Sequence, residues 1–99
     1  LISINDDLHQ LLRKVGPNMV GLWTAADPIR IKKILDYNDI TNYTYIRFSD
    51  KSQDDICHGI QEFCHVFHCE KNQLCFYEDD KNVISLLKSH NVQVVEVLA

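Results

Sequence analysis

The stretch LCFYEDDKNVISLLKSHNVQVVEV, residues 74–97, decides the fold of this chain. An apolar run of β-forming residues, LCFY (74–77), stops at three consecutive carboxylates, residues 78–80. Apolar side chains then recur at helical spacing over residues 83–87, and a second apolar run, VQVVEVL, occupies residues 92–98. A strand, a helix and a strand in this order predict a right-handed βαβ unit with parallel strands.

The same alternation extends through the rest of the chain. Apolar runs of strand length lie at LISI (1–4), MVGLWTA (19–25) and YTYIRF (43–48). Helical periodicity follows each run, and each helix is preceded by a residue suited to its N-cap: Asp7, Asp27 and Ser52. Residues 1–99 therefore predict one α/β domain, a three-layer α/β/α Rossmann-like fold with a mainly parallel sheet of four to five strands.

Composition excludes several classes of protein. The chain has 99 residues, 45% of them hydrophobic, which suits a single core. Its net charge of −4 and its scattered basic residues argue against nucleic-acid binding, which depends on clustered Lys and Arg. No apolar run approaches the roughly 20 residues that span a bilayer, and no signal peptide is recognisable. We predict a soluble, intracellular (cytoplasmic) domain that does not bind membranes. Because the chain begins at Leu1 rather than Met, we also expect it to be part of a longer protein.

Polar residues follow each predicted strand, where ligands bind in open α/β sheets. They are Asn5, Asp6 and Asp7; Thr24 and Asp27; Ser49, Asp50 and Lys51; and Glu78, Asp79 and Asp80. Each acid can be an ordinary helix N-cap. The triplet at 78–80 holds more acids than one helix start requires, and a Mg²⁺ ion with carboxylate ligands would make such crowding tolerable. A cation site and a solvated helix start are therefore both open explanations for the triplet.

Two short motifs carry a resemblance to a known family. LWTAADP (22–28) resembles the second motif of the haloacid dehalogenase superfamily, and CFYEDDKNV (75–83) resembles the fourth. The likeness covers the chain from about Asp7 to Val97 and is greatest to the small magnesium-dependent phosphatases. This resemblance implies a Mg²⁺-dependent phosphatase or phosphotransferase acting on a phosphorylated small molecule or protein.

The resemblance also assigns roles to four residues. Thr24 would hydrogen-bond the transferring phosphoryl group, and Lys51 would neutralise its charge. Glu78 and Asp79 would be the Mg²⁺ ligands. For Lys51 a second interpretation stays open, since its flanking acids Asp50 and Asp54 are also compatible with a solvated surface charge.

The chain departs from the family's sequence pattern at one point that affects the predicted activity. The family's nucleophile is an aspartate in an Asp-x-Asp motif at the end of the first strand, and no such motif precedes Thr24. The corresponding position, in LISIN, offers Ser3 and Asn5. Either the nucleophile strand lies upstream of Leu1, or the domain is an incomplete or degenerate enzyme. A domain lacking that strand would have exposed sheet edges, which favour pairing with another chain.

Two other classes of protein remain as alternatives. A receiver domain of the response-regulator type would use Asp6, Asp7 and Asp50 for Mg²⁺ and phosphate. Such a domain would have Ser or Thr at the end of the fourth strand, where Glu78 stands, and Lys at the end of the fifth, where Val97 and Leu98 stand. The second alternative is a pseudoenzyme that serves as a protein-interaction domain and binds either a protein partner or another copy of itself.

The segment CHGIQEFCHVFHC (57–69) is rich in Cys and His and is a predicted helix. Zinc needs four convergent ligands, which one straight helix cannot provide. We expect free thiols, with Cys64 as a partly buried apolar residue and with His58 and His65 in solvent. Cys75 is expected inside a buried strand.

Overall fold

The computed structural model describes residue 14 and residues 19–97. The chain divides into two compact units, Leu1–Asp50 and Lys51–Ala99. The first unit contains β1 (Gly21–Thr24), α1 (Pro28–Tyr37) and β2 (Tyr45–Phe48). The second contains α2 (Gln53–Phe67), a short 3₁₀ helix (Lys71–Gln73), β3 (Cys75–Glu78), α3 (Lys81–Ser89) and β4 (Gln93–Glu96). The predicted strand at 1–4, the helix after Asp7 except for residue 14, and the polar residues Asn5, Asp6 and Asp7 lie outside the described residues.

The first unit is a βαβ arrangement. β1 and β2 are parallel, with Gly21 opposite Tyr45 and Thr24 opposite Phe48. As predicted, Asp27 caps α1, its side chain accepting a hydrogen bond from the backbone N–H of Arg30 at 3.2 Å. Pro28 occupies the first helical turn, where its missing N–H would have no helical partner. Among the described residues of this unit, Val20, Leu35 and Ile40 form a buried core cluster.

The second unit repeats this pattern around a second pair of parallel strands. Cys75 lies opposite Gln93 and Glu78 opposite Glu96. Ser52 caps α2, as predicted, by accepting a hydrogen bond from the backbone N–H of Asp55. The two helices bury the apolar residues of their inner faces: Ile56, Ile60 and Phe63 on α2, and Ile84 and Leu87 on α3. The ring of Phe63 meets that of Phe76 edge-on, with centroids 6.0 Å apart, which packs α2 against β3.

The mixed α/β class and the parallel pairing of strands are confirmed. The described strands form two two-stranded sheets, and each strand has four residues, fewer than the predicted runs at 19–25, 43–48 and 92–98. A strand ends where its ladder ends, and apolar sequence alone does not reveal that point. The single three-layer sheet of four to five strands stays a prediction.

Cys75 corrects a prediction about burial. Its side chain is exposed although it lies in β3, because successive side chains of a strand point to opposite faces. Phe76 and Glu78 point to the covered face, whereas Cys75 and Tyr77 point to the uncovered one. Among the helices in the described ranges, none is both long enough and apolar enough to cross a membrane.

Candidate functional site

The second unit contains an ion pair that links the start of α2 to the end of β3. Lys51 Nζ donates a hydrogen bond to Glu78 Oε1 at 2.8 Å. The Lys51 side chain is 24% exposed and that of Glu78 9% exposed, so water screens the pair only partly. Two of the four predicted site residues are therefore in direct contact. Lys51 is not the solvated surface charge that one interpretation of its flanking acids predicted.

The other oxygen of Glu78 is bound by the backbone. Glu78 Oε2 accepts hydrogen bonds from the backbone N–H groups of Asp79, at 3.0 Å, and Asp80, at 3.1 Å. A carboxylate offers about four lone-pair positions, and three of those on Glu78 are used by these partners and Lys51. Because both oxygens have donors, the carboxylate is stable in a largely buried position.

Asp80 is the N-cap of α3. Its Oδ1 accepts hydrogen bonds from the backbone N–H groups of Asn82, at 2.8 Å, and Val83, at 3.2 Å. These N–H groups have no partner within the helix, and a negative charge there also complements the helix dipole. The helix-start explanation of the acidic triplet is therefore correct for Asp80.

Asp79, like Asp80, is exposed, and its carboxyl is close to that of Glu78. A side-chain hydrogen bond to Glu78, together with burial and the Glu78 charge, raises the pKa of Asp79. Burial is the largest single influence on the pKa of Glu78, and it raises that pKa. The Lys51 hydrogen bond, the Asp80 backbone N–H, the Lys51 charge and the Asp79 side chain outweigh it and lower the pKa of Glu78. The two neighbouring carboxyls thus have pKa values shifted in opposite directions, that of Glu78 lowered and that of Asp79 raised.

The fit of a Mg²⁺ ion to these residues is partial. Mg²⁺ commonly uses one or two carboxylates and completes its octahedron with waters and phosphate oxygens. Asp79 suits this role because its carboxyl is exposed and a cation would offset the charge of Glu78 beside it. Glu78 fits less well, since its remaining lone pair on Oε1 lies beside the Lys51 ammonium. Within the described part of the chain, no group of three or more His, Cys, Asp or Glu side chains could hold a metal ion. The role of Glu78 as a metal ligand stays a prediction.

Thr24 is the last residue of β1, in the first unit. Its Oγ1 accepts a hydrogen bond from the backbone N–H of Ala26 at 3.1 Å, which fixes the turn between β1 and α1. Its hydroxyl proton can still be donated to an oxygen of a ligand. Nearby in the same unit, Trp23 Nε1 donates to Ser49 Oγ at 3.1 Å, and the Arg47 guanidinium lies 5.2 Å from the centre of the Trp23 ring. The indole is thus held by polar partners at the end of β1.

The contact between Lys51 and Glu78 was not predicted from the sequence, although a signal for it exists. When a helix is followed by a strand that packs antiparallel to it, the start of the helix and the end of the strand lie at the same end of the unit. Lys51 comes two positions before α2, and Glu78 ends β3. Opposite charges at these two positions favour an ion pair.

No family model matches this chain, and neither a curated protein nor a solved structure matches it.

Proposed function

We propose that this chain is a haloacid-dehalogenase-like domain with a single three-layer sheet that binds a phosphoryl group with Mg²⁺ at the end of β3. The absence of an Asp-x-Asp motif from all 99 residues favours binding without turnover by this chain alone. The observation that carries the proposal is the 2.8 Å contact between Lys51 and Glu78. This contact supports the proposal because the Lys51 ammonium lies beside one of the two acids that the resemblance assigns to Mg²⁺.

The ammonium of Lys51 has the capacity to bind an anionic oxygen. A lysine carries three N–H donors, and one is given to Glu78. Its partner holds the nitrogen at the strand end, so little side-chain entropy remains to be lost when a phosphoryl oxygen binds. Positioning and charge neutralisation of this kind are the main contributions of a protein to phosphoryl binding.

The charge balance of the site makes binding depend on a divalent cation. The Lys51 ammonium pairs with Glu78, its charge also acts on Asp79, and a third acid, Asp80, follows directly in the sequence. A phosphoryl dianion would therefore be repelled unless a further positive charge were present. When bound, Mg²⁺ would supply that charge and polarise the phosphoryl oxygens. Asp79 would be its protein ligand.

Amide NMR spectra during titration with inorganic phosphate, with and without millimolar Mg²⁺, test this function. We expect shifts at residues 51 and 78–80 only when Mg²⁺ is present. Lys51→Met should abolish the phosphate response, and Lys81→Met, at an exposed lysine of α3, is the control. Glu78→Gln should strengthen phosphate binding, because it removes a competing charge and keeps an acceptor for the backbone N–H groups.

A second pair of variants isolates the metal ligand. Asp79→Asn should remove the Mg²⁺ response, whereas Asp80→Asn should retain it, since Asn is as good an N-cap as Asp. Spectra that do not change with Mg²⁺ and phosphate would refute the proposal and favour the interaction-domain class. If the chain hydrolyses a generic phosphate ester at a rate that Asp79→Asn leaves unchanged, the site assignment is wrong.

A further inference from the structure

The carboxyl end of α2 brings two cysteines together. The backbone N–H of Cys69 donates to the carbonyl of Cys64 at 3.0 Å, and that of His68 donates to the carbonyl of His65. His68 itself is left-handed, with φ 51°. These three features define a Schellman motif, in which the two residues joined by the longer hydrogen-bonded turn usually bring apolar side chains into contact. In this chain those two side chains are thiols.

The two thiols belong to residues that the Schellman turn holds together, and both are accessible. Cys64 and Cys69 are free and half-buried, and the backbone hydrogen bond between them joins the two residues directly. Both line a shallow pocket of about 330 Å³, together with His65, His68, Glu70 and Gln73. A small reagent can therefore reach the pair. As no three metal-binding side chains converge within residues 19–97, a structural zinc site does not account for the cluster.

We propose that Cys64 and Cys69 form a reversible disulfide by exchange with a small-molecule disulfide such as oxidised glutathione. The bond would close the turn at the end of α2 and join the helix covalently to the segment that leads into β3. This site is separate from the proposed phosphoryl site and does not depend on it.

The exchange takes place in two steps. Burial, followed by the charge of Cys69, raises the pKa of the Cys64 thiol, so Cys64 is poorly suited to attack first. The Cys69 thiolate attacks oxidised glutathione, forms a mixed disulfide and releases one glutathione thiolate. Cys64 then loses its proton to solvent and attacks the sulfur of Cys69, which releases the second glutathione. Two protein thiols are oxidised, and one glutathione disulfide is reduced to two thiols.

Peptide mapping tests the proposal on the full chain. The protein is equilibrated with oxidised glutathione, alkylated and cleaved after Lys and Glu. This digestion separates the cysteines into peptides 52–62, 63–70 and 72–78. We expect peptide 63–70 to lose two hydrogen atoms and to carry neither glutathione nor an alkyl group. Cys75, which is exposed, should carry glutathione under the same conditions.

Matched variants identify the partners. The double variant Cys57→Ser/Cys75→Ser should form the same bond, and Cys69→Ser should leave Cys64 either alkylated or bound to glutathione. Three results would overturn the proposal. Peptide 63–70 could carry two glutathione groups, it could carry two alkyl groups although Cys75 has reacted, or it could be cross-linked to peptide 52–62.

Denaturant separates the effect of the fold from that of sequence spacing. In urea the ratio of internal disulfide to mixed disulfide should fall, because the Schellman turn that holds the thiols together is lost. By linkage the oxidised protein should also unfold at a higher urea concentration than the reduced protein. An equal ratio in native buffer and in urea would show that the helix end does not preorganise the pair, contrary to the proposal.

Discussion

The ion pair between Lys51 and Glu78 should be a main determinant of the stability of the second unit. Lys51→Met removes the ammonium and keeps much of the apolar stem, so Glu78 Oε1 loses its donor in a position that is 9% exposed. Solvent-exposed pairs contribute up to about 1 kcal/mol, and breaking a fully buried pair costs about 3–5 kcal/mol. With Lys51 24% exposed and two backbone N–H groups still bound to Glu78, we expect a loss of about 2 kcal/mol.

The contribution of this pair should depend on pH. The pKa of Glu78 is lower in the folded protein than in the unfolded chain, so the pair stabilises the fold above the unfolded-state pKa. That stabilisation is lost as the pH falls through the lower, folded-state pKa. Wild type and Lys51→Met should therefore differ most at neutral pH and converge in acid.

Urea unfolding, followed by circular dichroism and by the amide resonances of α2 and α3, measures this effect. Lys81→Met, which removes an exposed lysine from the same unit, should change the free energy of unfolding by less than about 0.5 kcal/mol. In a double-mutant cycle, Lys51→Met and Glu78→Gln should be coupled by at least about 1 kcal/mol. A coupling energy near zero, or a difference that persists unchanged into acid, would refute the assigned strength of the pair.

Three further predictions concern the ends of the helices in the second unit. Asp79→Asn should raise stability at neutral pH, by at most about 0.5 kcal/mol because the side chain is exposed and screened. Since the folded-state pKa of Asp79 is raised, its destabilising effect disappears in acid, and a pH series of unfolding curves should show the gain vanish there. Asp80→Ala should cost about 1 kcal/mol and Asp80→Asn almost nothing in urea unfolding, because only the former removes the N-cap acceptor; equal losses would contradict the capping role. His68→Gly should stabilise the protein by up to about 1 kcal/mol, since glycine accepts a φ of 51° without steric cost, and a lower urea midpoint than wild type would contradict this.

Local chemistry explains why some elements could be predicted from the sequence. Asp27 and Ser52 were identified as N-caps because capping involves residues only three positions apart, and both side chains accept the expected backbone hydrogen bonds. Helical spacing predicts an inner face of Val83, Leu86 and Leu87 for α3. Leu87 is buried, but its buried companion is Ile84, and Val83 and Leu86 are only partly buried. The ends of the strands were not predictable, because they depend on pairing with a strand distant in sequence.

The candidate site shows the same division between local and distant interactions. The sequence marks residues 78–80 as unusual but does not assign separate roles to them. Asp80 acts locally as a cap, whereas the role of Glu78 depends on a lysine 27 positions away. Burial of Glu78 could not be inferred from residue type, since an acid at a strand end is usually solvated. Asp79 is the acid for which the local structure provides no capping role, and it is the one that the proposed cation site uses.

The separation between Lys51 and Glu78 also bears on how the protein is made. Translation proceeds from the amino end, so the lysine leaves the ribosome 27 residues before the glutamate that pairs with it. A nascent chain that ends at Tyr77 contains all of α2 but lacks the acid that ties the helix start to the strand end. The contact that ties the start of that helix to the strand end can therefore form only after synthesis passes residue 78, and a chain truncated before Glu78 lacks it.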